Sequence, residues 1–195
     1  MELAGKRIGF AITGSFCTYK IIMPVIKSLV ETGAEVTPIL SYNAGGLDTR
    51  FIKAADFKRF LSETTGREII EDLNHAEPIG PKNLLDLLII APCTGNTLAK
   101  LALGVTDTPV LLAAKAHLRN ASPVLIAVST NDALAANAKN LGLLLNTRHI
   151  YFVPYRQDDN EKKQTSIVAD MTLIERAAQL ALEGTQMQPL MLEPN

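Results

Sequence analysis

The sequence predicts an α/β domain built as a three-layer sandwich around a mostly parallel sheet. Two observations support this prediction. Short uncharged runs rich in β-branched residues alternate with segments whose apolar residues recur at helical spacing. Gly, Ser, Asn and Pro punctuate the boundaries between them. This alternation is typical of βαβ units, whose right-handed crossovers place helices on both faces of the sheet, and the predicted fold is therefore flavodoxin-like or Rossmann-like.

The strands are the clearest elements, because their apolar runs carry almost no charge. They are predicted at residues 7–13, 35–40, 84–91, 123–128 and 150–153. Pro38 has no backbone N–H to donate to a neighbouring strand. The second strand is therefore predicted near an edge of the sheet.

The helices follow from apolar periodicity and from their end signals. They are predicted at residues 21–30, 54–63, 97–103, 109–118, 131–145 and 167–182. Thr108 before Pro109 is a helix start, and Asn131 is expected to open the helix that follows the fourth strand. Residues 156–164 are polar with mixed charge and are predicted as a loop.

Length and composition predict one domain and disfavour nucleic-acid and membrane partners. We predict a single domain over residues 1–183 and a tail over residues 184–195, either loose or an arm that contacts a partner. Hydrophobic residues make up 47% of the chain and the net charge is −1, which disfavours nucleic-acid and anionic membrane partners. Because no signal peptide and no apolar run of membrane-spanning length are visible, a cytoplasmic protein is expected.

The cysteines and histidines show no metal-binding pattern. Cys17 and Cys93 are far apart and form no C-x-x-C pair, and the three histidines are scattered. We therefore predict no metal site and two free thiols. Both cysteines lie beside predicted turns, where a thiolate can be stabilised, but small buried side chains are the expected role.

Turns at the carboxyl ends of four strands carry the predicted binding site. In an open parallel sheet, ligands bind at this edge. A turn that opens a helix offers unpaired N–H groups and a partial positive charge, which suit a phosphate. Four such turns at one edge predict a site for a nucleotide monophosphate, although any one of them alone is more typical of a helix cap than of a site. The predicted cofactor-binding residues are Gly14, Ser15, Phe16, Ser41, Pro92, Cys93, Thr94, Gly95, Asn96, Thr97, Ser129, Thr130 and Asn131.

Several common nucleotide motifs are missing from these turns. The first turn has no G-x-G-x-x-G, and no P-loop is present. Ser41 stands where an acidic residue would contact the ribose of a dinucleotide. These absences disfavour classical NAD and ATP binding and favour a mononucleotide with one phosphate.

One segment resembles a known family. Residues 92–102 (PCTGNTLAKLA) resemble the P-A-S-A-N-T-x-A-K-x-A segment of the flavin-dependent cysteine decarboxylase superfamily, which includes phosphopantothenoylcysteine decarboxylase and flavin prenyltransferases. Gly14-Ser15 with Tyr19-Lys20 resembles its first phosphate turn, and residues 104–107 resemble its G-I-A-D. The similarity covers about residues 7–145 and implies that the cofactor is FMN.

Within that superfamily, residues 90–100, 107–120 and 129–134 are similar to the B-subunit family of dipicolinate synthases. This resemblance implies an oxidoreductase subunit that helps oxidise a dihydrodipicolinate precursor, a small dicarboxylate, to dipicolinate during sporulation. It also implies an A subunit that holds NAD(P) as the partner, and assembly as a homo-oligomer.

One departure from the decarboxylases keeps other functions open. They carry P-x-M-N-x-x-M-W at the position of residues 128–135, where this chain keeps Asn131 but has Leu134 and Ala135 in place of Met and Trp. This difference disfavours cysteine decarboxylation. The alternatives are a non-catalytic subunit that completes the active site of the A subunit, and an FMN-dependent decarboxylase-like or prenyltransferase-like enzyme.

Candidates for acid–base and substrate roles are few. The resemblance implies His75 as the catalytic histidine, with an exposed loop histidine as the alternative and Glu77 as a competing acid or base. The cationic group Lys115, His117 and Arg119 fits either dicarboxylate binding or a solvated helix face.

The polar residues of the turns have two possible roles. Ser15 is expected both to bind phosphate and to cap the first helix. Asn96, Thr97 and Asn131 fit either ligand contact or helix capping, and the resemblance favours ligand contact for Asn96 and Thr97.

Overall fold

A computed structural model describes residues 2–193 and contains one seven-stranded sheet within them. The strands are β1 (Arg7–Ile12), β2 (Glu35–Leu40), β3 (Leu87–Cys93), β4 (Val124–Thr130), β5 (Ile150–Phe152), β6 (Tyr155–Asp159) and β7 (Lys163–Ala169). The helices are α1 (Tyr19–Glu31), α2 (Tyr42–Gly46), α3 (Ala54–Thr65), α4 (Leu73–Ala76), α5 (Gly95–Ala102), α6 (Pro109–Arg119), α7 (Ala138–Leu145) and α8 (Ile174–Leu182).

The sheet is parallel except at one side. Its order is β2-β1-β3-β4-β7-β6, and β5 pairs in parallel with the first half of β4. β7 runs antiparallel to the second half of β4 and to β6. Helices α1 and α8 pack together, as do α5 and α6, so helical layers flank the sheet. The predicted mostly parallel α/β sandwich is confirmed.

Strand β3 forms the centre of the core. All seven of its residues are buried, because helices cover both faces of a central parallel strand. Strand β2 lies at the edge, as Pro38 predicts. The N–H of Leu40 and the carbonyl of Pro38 bond to Ile70 on the outer side, where the missing proline N–H breaks no strand pair.

Three segments near the C-terminus differ from the sequence prediction. Residues 131–137 form turns, and α7 begins only at Ala138, so the expected helix start at Asn131 is wrong. The predicted loop over residues 156–164 is mostly the β6–β7 hairpin. The predicted helix over residues 167–182 begins as strand β7, and α8 starts at Ile174. Pairing of Ile167 and Val168 with β4 stabilises this strand, and local periodicity does not report such tertiary pairing.

The described part of the C-terminal segment hydrogen-bonds to the sheet. The Gln186 side chain bonds to both backbone groups of Phe152, and Tyr155 exchanges backbone bonds with Leu190 and Leu192. Met1 and residues 194–195, which fall in the predicted domain and tail, lie outside the described residues. Within residues 2–193, no helix is both long and apolar enough to cross a membrane.

Candidate functional site

Thr13, directly after β1, connects the first and third turns. Its hydroxyl donates to the carbonyl of Pro92 at 2.6 Å and accepts from the N–H of Thr94 at 3.0 Å. Parallel strands end at the same edge, so a short hydroxyl side chain can reach the neighbouring turn. The first turn is therefore fixed against the start of α5.

Ser15 and Ser129 connect the first and fourth turns. Their Oγ atoms lie 2.8 Å apart, across 114 positions of sequence. Ser15 makes no capping hydrogen bond to the adjacent helical turn, so its expected cap role is wrong. The sequence prediction that these turns meet at one edge agrees with this geometry.

Gly95 lets the third turn approach the fourth closely. A Cβ atom at this position would lie 2.5 Å from Thr130 Oγ1, 2.6 Å from Asp132 Oδ1 and 2.7 Å from Asn137 Nδ2. Such distances exclude a side chain unless these groups move. Because Gly95 has no side chain, the N-terminus of α5 packs directly against a polar cluster formed by Thr130, Asp132 and Asn137.

That cluster is centred on Asp132. Its carboxylate accepts hydrogen bonds from the Thr130 hydroxyl at 2.6 Å and from the Asn137 amide at 2.7 Å. Asn140 in turn donates to the Asn137 side chain at 2.8 Å. These bonds satisfy the carboxylate and hold the turn after β4 in one shape.

A smaller cavity of about 340 Å³ opens between the second and third turns. Lys100 and Asp107 form an ion pair of 2.6 Å in its lining. Its lining residues are Thr13, Gly14, Ser41, Tyr42, Asn43, Thr94, Asn96, Thr97, Lys100, Asp107, Thr108 and Leu111.

A larger cavity of about 820 Å³ opens between the first and fourth turns, and the β6–β7 hairpin forms one wall. It shares Gly14, Thr94 and Asn96 with the smaller cavity. Its other lining residues are Ser15, Cys17, Thr18, Ile21, Gly95, Ser129, Thr130, Asn131, Asp132, Asp158, Lys163, Ser166, Ile167 and Val168.

Most of the predicted cofactor-binding residues line one of these cavities, but Phe16, Pro92 and Cys93 do not. Phe16 packs against Tyr19 with ring centroids 5.2 Å apart. Cys93 is fully buried, and burial raises the pKa of its thiol, as expected of a small core side chain. Cys17 is exposed and lines the larger cavity, so the expectation of a buried filler is wrong for it.

Helix capping at this edge matches the cap alternative for Thr94 and Ser41, but not for Asn96 and Thr97. Thr94 caps α5 by accepting from the N–H of Thr97, and Ser41 caps α2 by accepting from the N–H of Ala44. Asn96 and Thr97 lie inside α5, which excludes the cap role for them. Their polar groups remain at the edge of the smaller cavity.

His75 lies outside both cavities. Its side chain is 71% exposed on α4, and its Nδ1 is 2.7 Å from Asp72 Oδ2. The placement matches the alternative of an exposed histidine, and within one chain nothing brings its ring to the two cavities. Glu77 also lines neither of them.

The cationic group on α6 does not reach the cavities either. Lys115 and Arg119 are exposed, which fits the solvated-face alternative. His117 is 1% exposed, so for this residue both alternatives are wrong. Burial lowers the pKa of His117 to about 4, and its Nε2 has no hydrogen-bond partner among the described residues.

Sequence reasoning missed the charged residues that line the cavities. Lys100 and Asp107 lie within segments that carry the family resemblance, which was a usable signal. Asp158, Lys163 and Ser166 belong to the hairpin that was predicted as a loop, and no local signal placed them beside the fourth turn.

The comparisons with known proteins identify the family. Residues 1–172 match the family described as Flavoprotein. The dipicolinate synthase B subunit of Bacillus subtilis (strain 168) is 48% identical over 192 residues, which cover 98% of this chain and 96% of that protein. The chain belongs to the flavoprotein family, among the dipicolinate synthase B subunits. The crystal structure of the dipicolinate synthase B subunit from Bacillus halodurans C superposes with a TM-score of 0.92 at 42% identity, covering 100% of both chains.

More distant proteins share part of this similarity. The coenzyme A biosynthesis bifunctional protein CoaBC of Thermococcus kodakarensis is 31% identical over 137 residues. The match covers 68% of this chain and 32% of that protein. The FMN-binding protein AtHal3 superposes with a TM-score of 0.64 at 20% identity and covers 93% of this chain, a likeness of fold. The flavodoxin-like prediction is thereby confirmed.

Proposed function

We propose that this chain is the flavin-binding B subunit of a cytoplasmic dipicolinate synthase. With a nicotinamide-binding A subunit, it oxidises a dihydrodipicolinate-type dicarboxylate to dipicolinate during sporulation. The observation that carries the proposal is the 48% identity to a dipicolinate synthase B subunit over nearly both full lengths. Assembly with further copies of the chain is part of the proposal, and exposed Leu103, Leu134 and Leu143 offer apolar surface for it.

The residues at the carboxyl edge fit FMN. The larger cavity has the volume of an ordinary cofactor site, and its lining combines apolar side chains with hydroxyls and amides. Ile21, Ile167 and Val168 provide the apolar surface that a flavin ring needs. The smaller cavity adds the ammonium group of Lys100 and the hydroxyls of Ser41 and Thr97.

These two linings suggest a division of roles. We infer that the phosphate binds among Ser41, Thr97 and Lys100, near the first turn of α5, whose leading N–H groups lack partners within their own helix. Ile21 and the β6–β7 hairpin would then hold the flavin ring. Gly14 and Thr94 line both cavities and would contact the part of the cofactor between the phosphate and the ring.

The chemistry requires little acid–base catalysis from the protein. A bound flavin would accept a hydride from the dihydropyridine ring, with the second hydrogen leaving as a proton to solvent, and the partner's NAD(P) would be the alternative hydride acceptor. Aromatisation of the ring drives the reaction. The chain binds and orients the substrate, and the β6–β7 hairpin forms one wall of the larger cavity.

Reconstitution tests the proposal. The purified chain, incubated with FMN and then desalted, should keep the visible flavin absorption. It should also accelerate dipicolinate formation by the A subunit supplied with NAD(P) and precursor. If the chain adds nothing to the rate of the A subunit alone, the catalytic proposal is wrong.

A matched pair of variants tests the phosphate position. Lys100→Gln should weaken FMN binding about fivefold, because it removes a partly buried cation from the smaller cavity. Lys115→Gln removes an exposed cation outside both cavities and should leave FMN binding unchanged. Titration of flavin fluorescence measures both, and equal affinities would place the phosphate elsewhere.

A second candidate is a subunit that completes the active site of the A subunit without using flavin itself. One observation favours it: the carboxylates in the two cavity linings are already engaged. Asp107 pairs with Lys100, Asp158 with Lys163, and Asp132 accepts hydrogen bonds from its own turn. A chain that accelerates the A subunit equally with and without FMN would support this candidate.

A further inference from the structure

Among residues 2–193, Lys163 is the one cationic residue that lines the larger cavity. It is the first residue of β7, and its Nζ lies 2.5 Å from Asp158 Oδ2 on the facing strand. Its side chain is 57% exposed, so a molecule entering the cavity can reach it. The lining also includes Ser15 and Ser129, whose Oγ atoms lie 2.8 Å apart.

The hairpin that carries Lys163 is fixed to the binding edge. The Thr165 hydroxyl donates to the carbonyl of Asn131 at 2.7 Å, and the N–H of Leu134 donates to the carbonyl of Thr165 at 3.0 Å. Ser166 donates to the carbonyl of Thr130 at 3.3 Å. Residues on both sides of the turn after β4 therefore hold the start of β7 in place.

The ion pair with Asp158 leaves Lys163 able to bind another anion. An ammonium group has three N–H donors, and Asp158 uses one of them in the described contacts. The hydrogen bond and charge of Asp158 raise the pKa of Lys163, which keeps the group protonated. Asp132 is occupied by Thr130 and Asn137, so it does not compete for the ammonium.

We propose that Lys163 binds one carboxylate of the small dicarboxylate in the larger cavity, and that the hydroxyls of Ser15 and Ser129 face the rest of the molecule. This inference rests on the proposed function, because that function supplies the dicarboxylate. The shared chemistry is an anionic oxygen, which either a substrate carboxylate or the flavin phosphate provides. The carboxylate is favoured because the smaller cavity has Lys100 for a phosphate.

The test measures binding rather than turnover. Dipicolinate, the proposed product, is titrated by calorimetry into the full chain with and without FMN, for the unmodified protein, Lys163→Gln and Lys163→Arg. Lys162→Gln is the matched control, because its exposed neighbouring side chain is absent from the cavity lining. Lys163→Gln should bind dipicolinate about tenfold more weakly, while Lys163→Arg and Lys162→Gln should stay within about threefold of the unmodified chain.

Two further measurements separate the possible anions. The preference for dipicolinate over picolinate, which lacks one carboxylate, should fall in Lys163→Gln by a similar factor. The FMN affinity of Lys163→Gln should be unchanged, and a clear loss would assign Lys163 to the phosphate and overturn the inference.

The failures of the two proposals are distinguishable. If the unmodified chain binds FMN but no dipicolinate, the proposed substrate and this inference both fail. If the unmodified chain and Lys163→Gln bind dipicolinate equally well, the inference alone fails. Equal melting temperatures of the two proteins establish that the variant is folded.

Discussion

At the carboxyl end of the sheet, hydroxyl and amide side chains form hydrogen bonds around open cavities, whereas at the amino end an ion pair joins the starts of two neighbouring strands. Ser15 and Ser129 are 2.8 Å apart at the first end and line a cavity. At the other end, Arg7 donates through Nη2 to Asp86 at 2.6 Å and through its backbone N–H to the same carboxylate. The first end leaves polar groups at open cavities, where we propose that a ligand binds, and the second end joins strands.

The amino end also buries a group whose polar atom has no partner. His117 lies on α6, and its ring is buried near the backbone of Pro123, just before β4. Its Nε2 is unpaired in the described structure, as a neutral imidazole in an apolar site permits. Polar groups at the carboxyl end therefore line open cavities, whereas the His117 ring at the amino end is shielded from water.

The largest expected effect comes from His117. Its pKa is about 4 in the folded chain, against about 6.5 when unfolded. The unfolded chain thus binds the extra proton between these values, and the free energy of unfolding should fall by about 3 kcal/mol as the pH drops from 7 toward 4. Urea unfolding at a series of pH values measures this loss.

The control for this prediction is His117→Asn, which keeps a polar side chain with N–H groups and does not titrate. The variant should be less stable at neutral pH because it leaves unfilled volume. Its free energy of unfolding should nevertheless fall much less between pH 6.5 and 4 than that of the unmodified chain. Parallel pH profiles for the two proteins would contradict a neutral buried histidine.

The sequence predicted one part of the sheet well and the other poorly, for a physical reason. Strands β1 to β4 are apolar runs bounded by turn residues, and the edge position of β2 followed from Pro38 alone. The β6–β7 hairpin is polar, and its stability depends on pairing with Ser129 and Thr130 of β4. Such pairing joins positions far apart in the chain, which periodicity does not detect.

The difference between the recognised strands and the unrecognised hairpin also explains which residues of the candidate site could be predicted. Ser15, Gly95 and Thr130 follow strands that were recognised, so their meeting at one edge was predictable. Lys163 and Asp158 reach that edge on the unrecognised hairpin. His117 was grouped with Lys115 by sequence proximity, but the two point to opposite sides of α6, one to the core and one to solvent.

The next effect in size tests how tightly the carboxyl end is packed. Gly95→Ala should destabilise the chain by about 2 kcal/mol, because the new Cβ displaces Thr130, Asp132 or Asn137. It should also weaken FMN binding, since both cavities adjoin this turn. Thermal unfolding and flavin titration measure the two effects.

Gly142→Ala is the matched control for that substitution. Gly142 lies within α7 and has open space around an added Cβ, so helix propensity should dominate and stabilise the chain by about 0.5–1 kcal/mol. If both alanine variants are stabilised alike, the close approach at Gly95 does not exist in solution.

The smallest expected effect tests whether the two serines act as a unit. Ser15→Ala and Ser129→Ala should each weaken FMN binding about fivefold, because each removes a hydroxyl and leaves its partner unpaired, at a cost of about 1 kcal/mol. The double variant should lose little more than either single one, since the second hydroxyl no longer has a bond to lose. Ser62→Ala, exposed on α3 and outside both cavities, is the control and should leave binding unchanged. Fully additive losses would mean that the hydroxyls contact the ligand independently, and the bond across the two turns would then contribute nothing to the binding edge.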